Sequence, residues 1–166
     1  MAAKRVNRAA TPAVREADPV SRFEHTHTRL NRLALDVAES VRRLEDGATE
    51  KVWKETIRRL EALRDELLQH FADEEEALFP FVRARVGARA GAVQRLEAAH
   101  DNLCGAVVRA HAAACTHHKG LLTTLHRRFQ DAYVEHSCQE AELFDGLGEV
   151  LDARQRAELG DLLRGL

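Results

Sequence analysis

Residues 70–81 read HFADEEEALFPF. His70 and Glu74 are four apart, a spacing that stacks two side chains on one face of an α-helix about a turn apart. Upstream, Trp53, Ile57, Leu60, Leu63 and Leu67 recur at three- and four-residue steps. That apolar stripe runs on through His70, Phe71 and Glu74 to Leu78 and Phe81. An imidazole and a carboxylate therefore stand where core leucines belong. A buried carboxylate without a partner is too unfavourable to persist, so two inward ligands on one helix point to a bound cation. Of the acidic run Asp73 to Glu76, only Glu74 has the inward phase. The other three are expected on a solvated face.

The rest of the chain has the same helical character. Leu, Ala, Arg and Glu dominate its 166 residues, 45% are hydrophobic and only three are Pro. Such a composition favours an all-α fold with one sizeable core. A formal net charge of −2 gives no reason to expect nucleic acid, and no apolar run approaches the roughly 20 residues that span a membrane. No secretory leader is evident, and the odd, scattered set Cys104, Cys115 and Cys138 argues against a disulfide framework, so the expected location is a reducing cytoplasm.

Residues 1–17 read as a flexible basic tail. Asp18-Pro19 is a cap followed by Pro at the first helical position, with Ser21 and Glu24 an alternative capping box. The first helix carries Val20, Phe23, His27, Leu30, Ala34, Val37, Val41 and Leu44 on one stripe and ends near Asp46-Gly47. Thr49 caps the second, which runs to about Val82, where Pro80 should kink or terminate it. Residues 86–91 form a loop. The third helix faces Val93, Leu96, His100, Leu103, Val107 and Ala110 inward. The break after it has Gly120 as the expected C-terminal cap. The fourth shows Leu122, Leu125, Phe129, Tyr133, His136, Glu140, Leu143 and Leu147. Leu159, Leu162, Leu163 and Leu166 mark a short amphipathic helix packed outside. The expected architecture is an up-down-up-down four-helix bundle over residues 18–148 with an extra C-terminal helix in 149–166.

His27, His100 and the pair His136/Glu140 break their stripes as His70 and Glu74 do. The pattern is His, then His-x-x-x-Glu, repeated once. His27 lies about 8 residues into its helix, His70 and Glu74 about 8 to 12 before the end of theirs, His100 about 10 into the third, and His136 and Glu140 about 7 to 11 before the end of the fourth. At about 1.5 Å per residue, all six groups fall in one layer roughly 10–18 Å deep in an up-down bundle. Four imidazoles and two carboxylates suit a pair of first-row cations. Two divalent ions against two glutamates and one bridging hydroxide leave a nearly neutral cluster, which a low-dielectric core can hold.

These stretches resemble the hemerythrin-like family, the HHE cation-binding domain. The residues that carry the resemblance are HFADEEEALFPF and HSCQEAELF, with THTRL upstream and EAAHDNL between, over about residues 20–147. The resemblance implies a left-handed four-helix bundle holding two iron ions, oxo- or hydroxo-bridged. By position, His27, His70, His100 and His136 are terminal ligands and Glu74 and Glu140 bridge. Oxygen-carrying members have a second His four residues after the third-helix His, where this chain has Cys104. They also pair the fourth-helix His with Asp at five residues, where this chain has His136 and Glu140. Both departures favour the branch associated with nitric oxide, peroxide, oxygen or iron handling.

His25 is the alternative donor on the first helix, although its phase lies about 200° off the stripe. Cys104 is either a small core residue, a thiolate ligand or a redox partner. Tyr133, one turn before His136, either packs or hydrogen-bonds to a ligand at the metal. His111 and His126 lie roughly 15 Å from the layer on helical rise and are read as core-edge or surface residues. His117 and His118 are expected on a loop, and Cys115 and Cys138 have no visible partner. The expected function is a non-haem diiron protein that binds a small diatomic or peroxide and reduces or senses it. As an enzyme it would be a peroxidase-like, catalase-like or nitric oxide-related oxidoreductase. The alternatives are a non-catalytic sensor or iron reserve, and a zinc-filled or metal-free structural bundle.

Overall fold

A computed structural model describes residues 19–165 of the chain, with side chains from His27 onward. The expectations for the tail, the Asp18 cap, the His25 side chain and Leu166 lie outside the described residues. Four long helices account for most of the chain: α1 (Pro19–Asp46), α2 (Glu50–Asp73), α4 (Ala90–Cys115) and α5 (Lys119–Val150). Between α2 and α4 lie a π-helical turn (Glu74–Leu78), α3 (Phe79–Arg85) and a 3₁₀ turn (Gly87–Arg89), and α6 (Ala153–Arg164) closes the chain. No strand occurs among the described residues.

The helices pack as a bundle. α1 lies against α2, α2 against α4, α4 against α5, and α5 back against α1, while α6 rests on α1 and the π turn. Val20, Phe23 and the Ser21/Glu24 box lie outside the described side chains; among the described residues the stripes face inward, with Ala34 and Ile57 partly buried. The inward positions named for α4 and α5 are all buried. Capping fixes where the elements start. Thr49 Oγ1 accepts the Val52 N–H at 3.4 Å, and Asp152 and Gln155 form a reciprocal capping box on α6.

The apolar core is in two parts. One runs from Leu30, Leu44 and Trp53 through Leu67 and Phe71 to Leu103, Phe129 and Tyr133. The other gathers Leu78, Phe79, Phe81, Val82, Val93, Leu96, Leu143, Leu147, Leu159 and Leu163. Along α5 the first part stops at Tyr133 and the second starts at Leu143, with His136 and Glu140 between them. Along α4, His100 separates Leu96 from Leu103 in the same way. The buried polar residues His70, Glu74, His100, His136 and Glu140 thus form the plane between two apolar halves.

Three expectations need correction. Pro80 does not end the second helical segment. Helical structure continues to Arg85, and the disturbance is taken up one turn earlier by the π turn, whose Phe79 N–H donates to Glu74 O, five residues back. Proline lacks an N–H and crowds the carbonyl four residues before it, which is here Glu76. Widening the turn by one residue relieves both faults. It also brings Phe79 to 0% exposure beside Leu78, a position the straight stripe had left out. Gly120 is not the cap of α4. His117 takes the left-handed conformation instead, with φ 52°. His118 N–H donates to Ala113 O at 2.8 Å and His117 N–H to Ala114 O at 3.0 Å, a Schellman closure. The His117 ring stacks on Trp53 with centroids 4.7 Å apart, which steadies the unusual backbone. Finally, Leu162 is exposed, because α6 buries Leu159, Gly160 and Leu163.

Candidate metal centre

The six groups expected in one layer come together. His27 Nε2 lies 3.1 Å from His70 Nε2 and 2.5 Å from Glu140 Oε1. His70 Nε2 lies 3.4 Å from the same Glu140 oxygen and 3.6 Å from Glu74 Oε1. On the far side, His100 Nε2 lies 3.1 Å from Glu74 Oε2, and His136 Nε2 is 3.7 Å from Glu140 Oε2. The donor atoms form two groups, each with members within 4.8 Å of one another: His27, His70, Glu74 and Glu140, and Glu74, His100 and His136. Glu74 belongs to both. His27 is the most open donor, with its side chain 26% exposed.

Electrostatics favours a cation in this layer. Glu74 is fully buried, and neither of its carboxylate oxygens has a hydrogen-bond partner of good geometry. Burial first, and the neighbouring Glu140 charge second, push its pKa well above the carboxylate range. Burial acts on Glu140 too, but the His27 and His70 rings, 2.5 and 3.4 Å from its Oε1, outweigh it and hold Glu140 well below that range. Two carboxylates side by side cannot both ionise without compensation. His100 and His136 are each held down to about 4, by burial first and then by neighbouring imidazoles, so both are neutral and have lone pairs to give. Two of the donor contacts, at 3.1 Å, are close to the edge of an octahedron, while the others spread from 2.5 to 3.7 Å. With bonds of about 2.1 Å to a first-row metal, that edge is about 3.0 Å. The donor set fits metal.

Other calls fare differently. Cys104 is half-buried against the larger apolar cluster and belongs to neither donor group. Burial pushes its thiol up, with the Glu75 and Asp101 charges adding, so it stays protonated and packs as a small apolar residue. Tyr133 donates its hydroxyl to Asn31 Oδ1 at 3.0 Å, and burial, then the Glu140 charge, push it up to about 12. The bond ties α5 to α1. His126 is buried and His111 sits beside Glu61 at 3.2 Å. His117 and His118 are exposed, as are Cys115 and Cys138.

The sequence pattern missed Glu75. Although its side chain is 47% exposed, it does not belong to a purely solvated face, since Oε1 lies 2.6 Å from His100 Nδ1. Phe71 stacks on the His100 ring at 3.7 Å between centroids and Phe79 at 5.5 Å. The signal for Glu75 was Pro80, five residues on, which announces a disturbed turn at the acidic run.

Fold and site together define a helical bundle whose core layer carries His and Glu groups able to hold metal. The family model for the hemerythrin HHE cation binding domain matches residues 18–147, and the chain belongs to that family. Comparisons with curated proteins and with solved structures gave no significant match. Among the described residues no helix is long and apolar enough to cross a membrane.

Proposed function

We propose that this chain is a non-haem diiron protein that binds a small oxidant, O₂, peroxide or nitric oxide, and reduces or senses it. The observation that supports the reading is the pair of donor groups meeting at Glu74. One ion would take His27 and His70, the other His100 and His136, with Glu74 and Glu140 shared between them. Iron held there supplies electrons and positions to which a small oxidant can bind. The protein's own part is to fix the imidazoles, exclude bulk water with the two apolar halves, and leave its most open side at His27. The ring of packed helices and the short connections at residues 47–49 and 116–118 support an up-down-up-down arrangement. Three free cysteines support a reducing compartment.

Metal analysis with an optical spectrum of aerobically purified protein tests the reading. About two irons per chain and ferric charge-transfer absorption that bleaches on reduction are expected. Full loading with a single zinc in protein made with ample iron would refute it. Peroxide turnover by the iron-loaded protein separates reduction from sensing.

A further inference from the structure

The Glu75–His100 contact carries more than the ligand set does. A neutral imidazole has one N–H and one lone pair, and a carboxylate only accepts. With Glu75 Oε1 at 2.6 Å, the proton of His100 sits on Nδ1. The lone pair is then on Nε2, which faces Glu74 Oε2 at 3.1 Å, and neither of those atoms has a hydrogen-bond partner. Two lone pairs meet there, as they do on either side of a metal ion. Phe71 and Phe79 stack on the ring and oppose a flip that would exchange the two nitrogens.

We infer that Glu75 is a positioning residue, which holds His100 in the Nδ1–H tautomer and aims Nε2 at the ion shared with Glu74. The inference rests on the metal reading above. Its geometric source is the π turn. Glu74 and Glu75 are the first two residues of that turn, and both reach His100, Glu74 from the Nε2 side and Glu75 from the Nδ1 side. His136 has no such tie, since both its ring nitrogens are buried without a hydrogen-bond partner. The two imidazoles of this donor group are therefore unequal, with the better electron donor on α4. A carboxylate behind a ligating imidazole fixes its orientation and raises its basicity.

Glu75→Gln and Glu75→Ala test this, with Glu76→Ala as a control for charge alone. Both positions are exposed, so the bundle should fold. Long-range ¹H–¹⁵N spectra of the metal-free proteins read the tautomer directly. The parent should show His100 with its proton on Nδ1, and Glu75→Ala a mixture. Competition for ferrous iron against a chelator reads affinity. Glu75→Ala should bind about 10–100-fold more weakly, Glu75→Gln, which keeps a neutral acceptor, should fall between, and Glu76→Ala should match the parent. Equal tautomer and affinity in parent and Glu75→Ala would overturn the inference, and so would an equal loss in Glu76→Ala. A parent that takes up no iron would overturn the metal reading and the ligand-positioning role with it. The tautomer spectra would still separate that failure from an absent Glu75–His100 bond.

Discussion

Glu74→Met should make the protein more stable without metal and less stable with it. Methionine has nearly the length of glutamate and fills irregular core space. The substitution removes a fully buried carboxylate whose oxygens have no hydrogen-bond partner. Leaving a buried polar group unsatisfied costs about 1–3 kcal/mol, so the metal-free variant should gain about that much. At about 2–4 °C per kcal/mol for a chain of this size, its midpoint should rise by about 2–12 °C. The sign with pH follows from the raised pKa of Glu74. In the folded parent Glu74 keeps its proton above the ordinary value of 4.5 while the unfolded chain loses it, so the contribution of Glu74 to parent stability falls as pH rises past that value. The variant's advantage should widen between acid and neutral pH. Metal reverses the order. An ion at about a thousand times its dissociation constant stabilises by about 4 kcal/mol, and the variant has lost the one carboxylate common to both donor groups. Thermal unfolding followed by circular dichroism, on chelator-treated protein and again with ferrous iron under argon, measures both arms. A variant less stable than its parent under both conditions would show that Glu74 is satisfied within the protein and does not wait for a cation.

In metal-free Glu74→Met, where the opposing Glu74 contribution is gone, stability should fall as pH falls from about 6.5 to about 4. Over that window the unfolded chain takes protons that folded His100 and His136 refuse. Each shift is about 2.5 units, up to about 3 kcal/mol apiece at 1.36 kcal/mol per unit. Urea midpoints across the window check this, and a flat profile would refute it. Cys104→Ser should keep the iron content and optical spectrum at a loss of about 1 kcal/mol, and disappearance of a sulfur-to-iron band would make the thiol a ligand after all. Tyr133→Phe should lower stability by about 0.5–1.5 kcal/mol through the lost bond to Asn31 and leave peroxide reactivity intact. A change in that reactivity would give the phenol a part in the chemistry.

The α4 and α5 stripes were legible because the 3.6-residue period repeats over long, uninterrupted segments. His70, Glu74, His100, His136 and Glu140 were legible because they break those stripes at one height. What stayed hidden depends on backbone that leaves the regular period. Pro80 was visible, but sequence could not say that the relief would fall on residues 74–78 instead of ending the helix. Phe79 went unnamed and Glu75 was placed on a purely solvated face for the same reason. At the end of α4, glycine is the usual left-handed residue, yet His117 takes that conformation with Trp53 stacked against its ring. Such a tertiary contact leaves no local mark in the sequence.

The plane of polar groups between the two apolar halves has a consequence for how the molecule comes apart. Each half has its own apolar contacts, while the layer joining them leaves both Glu74 oxygens and both His136 nitrogens without a hydrogen-bond partner until a cation links them. Amide exchange in the metal-free protein should therefore resolve two cooperative units, one around Leu44, Trp53 and Phe129 and one around Phe79, Leu96 and Leu147, opening at different free energies. Loading the layer should merge them into one. Metal would then act as the fastener that makes a single folding unit of two, and its loss would be felt first as slack between the halves, before either half unfolds.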